Sequence, residues 1–139
     1  MDERALRAAR EAVVRRHMEA ENVLDFDVVI ATFAHPRYEI VATGEVHDGE
    51  AAVREYFRAT RTAFPDQHNV LVSLRHADDA VVVEFDLLGT HRGPLAGIEP
   101  TGRGFRCRMA AIYLFDGAGL VCERVYFDSA TILRQLTTP

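Results

Sequence analysis

From Asp2 to about Asn22, apolar side chains return every three or four residues, at Leu6, Ala9, Val13, His17 or Met18, and Ala20, with arginines opposite. That spacing predicts an amphipathic helix. The acids of "DFDVVIATFA" offer an N-cap for a brief second helix, which Pro36 stops before a short β-branched run in "HPRYEIVATG". Asp48-Gly49 marks a turn, and Ala52, Val53, Tyr56, Phe57 and Ala63 then share one side of a third helix, ended by Pro65. Beyond Pro65 the pattern changes to strands: "HNVLVSLRHA", "AVVVEFDLLGTH", "FRCRMAAIYLF" and "LVCERVYFD". Tight turns join them at Asp78-Asp79 and "DGAG", but the second and third are separated by "GTHRGPLAGIEPTGRGF". A last helix, "SATILRQL", follows Asp128, whose carboxylate or the Ser129 hydroxyl could cap it. Helices followed by a meander predict an α+β domain, with the helices against one face of a curved antiparallel sheet.

Composition narrows the chemistry. With 139 residues, 48% of them apolar, the chain fits one domain over residues 1–139. A net charge of −5, with arginines interleaved among acids, argues against a nucleic-acid partner, which would require clustered positive charge. No apolar run is long enough to span a membrane, and no signal-peptide core follows the N-terminal charges, so the expected location is cytoplasmic. All sixteen positive side chains are arginine. The missing lysine excludes Schiff-base chemistry and a P-loop, and no G-x-G-x-x-G occurs, so no cofactor is expected. Cys107 and Cys122 lack C-x-x-C spacing and read as reduced, buried thiols. His17, His35, His47 and His76 are scattered without H-x-H or H-E-x-x-H spacing, so no metal is expected either. What remains is acid, base and hydrogen bond.

Strand alternation puts Glu84 and Asp86 on one face of "VVVEFDLLGTH" and Val83, Phe85 and Leu87 on the other. Two carboxylates in an apolar wall would raise one pKa and make an acid/base pair, with His91 at the strand's end as a proton shuttle. The alternative is that both acids lie on a solvated face or pair with Arg106 and Arg108 of the next strand.

The segments "FPDQH", "GTHRGPLAGIEPTGR", "FDG" and "ERVYFDSATILRQL", together with "HPRYEIVATGEVHDGEAAVREYF", resemble the SnoaL-like polyketide cyclase and ester cyclase branch of the NTF2-like superfamily. The resemblance implies an α+β cone in which the early helices and a bent antiparallel sheet enclose a mostly apolar pocket, with the face of Glu84 and Asp86 turned inward. It also implies proton-transfer chemistry on a hydrophobic, oxygenated small molecule, polyketide-, terpenoid- or steroid-like: isomerisation or dehydration, ring closure, or epoxide hydrolysis. A non-catalytic small-molecule binding protein is the alternative. The catalytic aspartate and assisting histidine of the nogalonic-acid-type cyclases correspond to Val125 and Ala110, neither of which can move a proton. Glu84, Asp86 and His91 are therefore the expected catalytic residues. Glu21, Tyr56, His68, Arg108, Ala110, Glu123 and Val125 are expected around the substrate, and alternation requires Glu123 to face inward if Val125 does. The glycine-rich stretch should sit at the mouth, with Leu95 and Ile98 touching ligand if it is a lid, or packing on the domain or a partner chain if it is a static hairpin. Apolar residues on both faces of the "FRCRMAAIYLF" strand predict a homodimer through the outer sheet face.

Overall fold

The computed structural model describes residues 1–139. Four helices, α1 (Glu3–Asn22), α2 (Phe26–Ala31), α3 (Glu50–Ala63) and α4 (Ser129–Thr137), lie against a sheet of six strands. The strands are β1 (Arg37–Ile40), β2 (Glu45–Asp48), β3 (His68–His76), β4 (Ala80–Thr90), β5 (Gly104–Asp116) and β6 (Gly119–Tyr126). Aspartate starts three of the helices: Asp2, Asp25 and Asp128 accept the backbone N–H of Ala5, Val28 and Ala130.

In space the strands run β2-β1-β6-β5-β4-β3, a curved, unclosed sheet. It is mixed rather than wholly antiparallel, because β1 pairs with β6 in parallel, with Tyr38 opposite Glu123 and Ile40 opposite Val125. The early β-branched run is a hairpin of two four-residue strands, β1 and β2, not one strand. Local periodicity reports that a strand exists, whereas its partner is chosen by contacts remote in sequence.

Alternation on β5 is clean. Phe105, Cys107, Met109, Ala111, Tyr113 and Phe115 are buried beneath the helices, while Arg106 and Arg108 stand outside. Val14 of α1, Val53 and Phe57 of α3, Leu120 of β6 and Leu136 of α4 are essentially without water contact. Each such side chain contributes about 1.5–3 kcal/mol relative to exposure. Arg10 is buried too, but its guanidinium donates to the carbonyls of Gly117 and Asp78 at 2.8 and 2.9 Å, so α1 ties down two strand turns.

The glycine-rich connection between β4 and β5 is anchored at its base. Arg92 and Gly93 both donate their N–H to the Ala63 carbonyl at the end of α3, at 2.9 and 3.2 Å. Its tip is a two-residue turn in which Leu95 and Ile98 exchange hydrogen bonds across Ala96 and Gly97, both at positive φ (48° and 78°). Gly93 is required for close approach, because a Cβ there would lie 2.2 Å from the Thr62 carbonyl oxygen, whereas one on Gly97 would meet nothing within 4 Å. Gly93→Ala should therefore cost several kcal/mol of stability by forcing the loop off α3, and Gly97→Ala only about 1 kcal/mol through its backbone conformation. Thermal melts of the two variants check this, since similar losses would mean that the loop base is not held against α3.

Candidate functional site

The inner sheet face and the helices do not meet everywhere, and the space between them forms two connected chambers. The outer one, about 250 Å³, is apolar, with Ile40, Phe64, Leu87, Phe105, Phe127 and Ile132 among its walls. The inner one, about 50 Å³, carries Glu21, Tyr38, Tyr56, Arg61, Tyr113 and Glu123. Tyr56, Gln67, Leu87, Met109 and Val125 line both, so the two chambers adjoin there.

Behind the wall of the inner chamber, in contact with Glu21 and Glu123, lies His17, fully buried on α1. Thr32 donates its hydroxyl to the Val29 carbonyl at 2.6 Å, so its oxygen is left to accept from His17 Nδ1–H at 2.9 Å. This fixes one proton on Nδ1. The other ring nitrogen, Nε2, is 2.9 Å from the Tyr38 hydroxyl, 2.8 Å from Glu123 Oε1 and 3.2 Å from Glu21 Oε1. The Nε2–H axis points at Tyr38, so Glu123 Oε1 has the ion-pair contact but no aligned hydrogen bond. Glu21 is held from its other side by Arg61 at 3.5 Å, whose guanidinium stacks over Phe26 and Phe57.

The three titratable groups diverge in proton affinity. Burial works against charge on His17, but attraction to Glu21 and contact with Glu123 overcome it and raise its pKa to about 10. Burial also opposes ionisation of Glu21, yet His17 and Arg61 outweigh it and hold that carboxyl below its usual range. For Glu123, burial and repulsion from Glu21 prevail over the contacts from His17 and Tyr113, so its pKa is raised. The result is one ionised, doubly held carboxylate beside one carboxyl with raised proton affinity, the divergence from which acid and base roles arise. His17, Glu21 and Glu123 also bring a nitrogen and two carboxylate oxygens within 4.8 Å of one another, but an imidazolium protonated on both nitrogens has no lone pair to offer a cation, so the cluster is one of ion pairs. Sequence spacing missed it because two of its members come from α1 and the third from β6.

Of the residues anticipated from sequence, Glu21, Tyr56, His68, Glu123 and Val125 line the inner chamber, and Leu95 lines the outer one. The expected catalytic set is not brought together. Glu84 faces outward and binds Ser73 and Arg75. Asp86 sits under Arg106 and Arg108, both at 2.6 Å, which hold its pKa down. The inward face of β4 belongs to Val81, Val83 and Phe85, because apolar side chains fill the core while the acids find arginines outside. His91 is fully buried away from the cavity, where Nδ1 accepts from the Thr101 N–H at 3.2 Å. Arg108 and Ala110 share Glu84's outer face, and Ile98 is outside both chambers. Asp66 binds the Thr90 N–H and hydroxyl through its carboxylate, and His68 reaches only the Asp66 backbone carbonyl.

His17, Thr32, Tyr38, Arg61 and Tyr113 were not singled out as site residues. A usable signal existed for one of them: His17 and Glu21 are four apart on the core-facing side of an amphipathic helix. The aspartate position that reads Val125 does face the cavity, and the carboxyl present on that face, Glu123, lies two residues deeper.

A curved mixed sheet closed over by helices, with an acid cluster at the end of an apolar chamber, defines a small-molecule pocket of the NTF2-like type. The chain belongs to the SnoaL-like polyketide cyclase family, whose family model matches residues 11–136. Among solved structures, a candidate SnoaL-like polyketide cyclase from Jannaschia sp. CCS1 superposes with a TM-score of 0.84 at 17% identity, covering 95% of this chain and 94% of that one. TsrD from Streptomyces laurentii gives 0.80 at 22% identity, covering 100% and 99%. A Catenulispora acidiphila protein with a ketosteroid isomerase-like fold, crystallised with trimethylamine, gives 0.78 at 19%, covering 91% and 93%. These likenesses establish the fold. No curated protein is significantly similar to the chain.

The raised pKa of His17 makes stability depend on pH. Its folded value, about 10, lies above the unfolded value of 6.5, so the stabilisation is complete below pH 6.5 and is lost as pH rises through 10. The melting temperature should fall between pH 6.5 and 10, by the equivalent of a few kcal/mol, and His17→Asn should flatten that dependence. An equal fall in the variant would show that His17 is not the group responsible.

Proposed function

We propose that the protein is an enzyme that moves a proton on a hydrophobic, oxygenated small molecule, with Glu123 as base and acid. The observation that carries this reading is the Glu123 carboxyl, nearly dry, raised in proton affinity and without an aligned partner for Oε1, at the end of a chamber that widens into apolar walls. Such a carboxyl accepts a proton from carbon more readily than an exposed one. His17 does not line the cavity and acts through its neighbours, holding Glu21 ionised and aligning the Tyr38 hydroxyl. Tyr56, at the junction of the chambers, is placed to donate to a substrate oxygen that becomes negative as the proton leaves. The carbon skeleton would occupy the outer chamber. Cyclisation, isomerisation and dehydration all begin with this proton transfer.

The step can be tested without the natural substrate, by following α-hydrogen exchange of 2-tetralone in D₂O by NMR. The protein should accelerate exchange, Glu123→Gln should lose at least about 100-fold, and the outward Glu84→Gln should match the parent. A parent protein that binds 2-tetralone but exchanges it at the background rate would leave only the ligand-binding reading.

We also infer a homodimer through the outer sheet face, where Val70, Val72 and Tyr126 are exposed and Ile112 and Leu114 are only half-buried. Light scattering at micromolar concentration should give twice the 15.6 kDa chain mass, and Ile112→Glu should give the monomer. A parent protein that scatters as a monomer removes this inference.

A further inference from the structure

We propose that the inner chamber is a water site and that the reaction adds or removes water at the substrate atom lodged where the two chambers meet. This rests on the acid/base reading of Glu123 and narrows it. The first observation is size. A volume of about 50 Å³ is enough for more than one water, since a single one needs about 10–15 Å³, but it is too small for a substrate skeleton that the 250 Å³ outer chamber accommodates.

The second observation is the lining. Apolar cavities stay dry, whereas a water needs two to four polar partners, and the inner chamber presents Glu21, Glu123, Tyr56, Tyr113, Arg61 and Gln67. Two of these carry unmet requirements, the Arg61 Nε–H donor and the acceptor Glu123 Oε1, the latter buried without an aligned hydrogen bond. A donor from the chamber side would satisfy that oxygen, and the hydrogen of a water bound there is such a donor.

The third observation is access. The chamber wall includes Asn22, His68 and Asn69, none of which lines the outer chamber. Side-chain exposure declines inward from this seam, from 14% for Glu21 and 10% for Arg61 to 6% for Glu123 and 0% for His17. Asn22 and Asn69 close the seam with hydrogen bonds of 2.7 and 3.0 Å, contacts that water can replace. The two reactants thus have separate approaches, water through the polar seam and the hydrophobic molecule through the apolar mouth.

At a carbonyl carbon the chemistry balances without any further reagent. The water oxygen forms the new C–O bond, its proton passes to the Glu123 carboxylate, and the C=O π pair moves onto the carbonyl oxygen, to which Tyr56 donates a hydrogen bond. That oxygen then takes the proton from Glu123, giving the hydrate and restoring the carboxylate. Reversal expels either oxygen as water.

Two measurements on the intact protein decide the matter. In H₂¹⁸O, mass spectrometry of 2-tetralone should show label entering the carbonyl at least tenfold faster than without protein, and Glu123→Gln should abolish the gain. In a high-resolution crystal structure with 2-tetralone bound, an ordered water should lie about 2.6–3.2 Å from Glu123 Oε1 and from a second chamber group. Deuterium entering the α-carbon without ¹⁸O entering the carbonyl would overturn the water proposal and leave the base intact. A ligand whose own atoms fill the inner chamber would overturn it whatever the rates. Failure of both isotopes to exchange, with Glu123 inert, would remove the base reading and this inference together.

Discussion

Burying an imidazolium and two carboxylates is tolerable only when each charge is held by another, because isolated ions in a dry interior cost several kcal/mol apiece. His17 lies 2.8 Å from Glu123 and 3.2 Å from Glu21, and Arg61 holds Glu21 from outside. Much of the architecture serves this arrangement. It requires α1 to lie across the start of β6, α3 to bring Arg61 over Phe26 and Phe57, and the parallel pairing of β1 with β6 to set Tyr38 beside Glu123. Thr32, at the end of α2, adds the last constraint by accepting the Nδ1 proton and thereby fixing the ring's orientation. One cluster therefore joins five elements, α1, α2, β1 and α3 from the first half of the chain and β6 from near its end.

The same residue types have opposite fates on the two faces of the sheet. Asp86 lies between Arg106 and Arg108, and its proton affinity falls. Glu123 has a buried imidazolium on one side and a second carboxylate nearby, and its proton affinity rises. The difference arises from surroundings rather than from the acid itself: exposed arginines reach Asp86 on the outer face, whereas beneath the helices burial and like charge outweigh the one cation in contact. That asymmetry gives Glu123 the raised proton affinity on which its proposed role rests, and leaves Asp86 held ionised by arginines. The cavity repeats it as a gradient, from apolar walls suited to a carbon skeleton to a small polar end suited to proton transfer.

Much of the fold was legible in the sequence. Helical spacing, caps and proline stops located α1 to α4, and alternation located β3 to β6, because these signals are local and depend on which face of each element meets the core. The likeness of "ERVYFDSATILRQL" and its companion segments to a known family carried the cone shape and the pocket, and alternation correctly tied the direction of Glu123 to that of Val125. The local signal weakened at β1 and β2, where four-residue strands are too short to show a period, and at β3, where an irregularity between Leu71 and Ser73 interrupts the alternation.

What the sequence determined by itself was therefore the set of elements, their apolar faces and a choice of chemistry confined to acids, histidines, tyrosines and arginines. Only the tertiary structure decided which face of β4 turned inward, since a strand with carboxylates on one side and valines on the other does not announce its partners. It also decided that His17, which reads as one more position on the apolar face of an amphipathic helix, meets Glu123 from near the other end of the chain. The physical reason is range. Periodicity reflects interactions between residues a few positions apart, whereas the proton affinity of a buried carboxyl is set by charges and burial that long-range packing brings together.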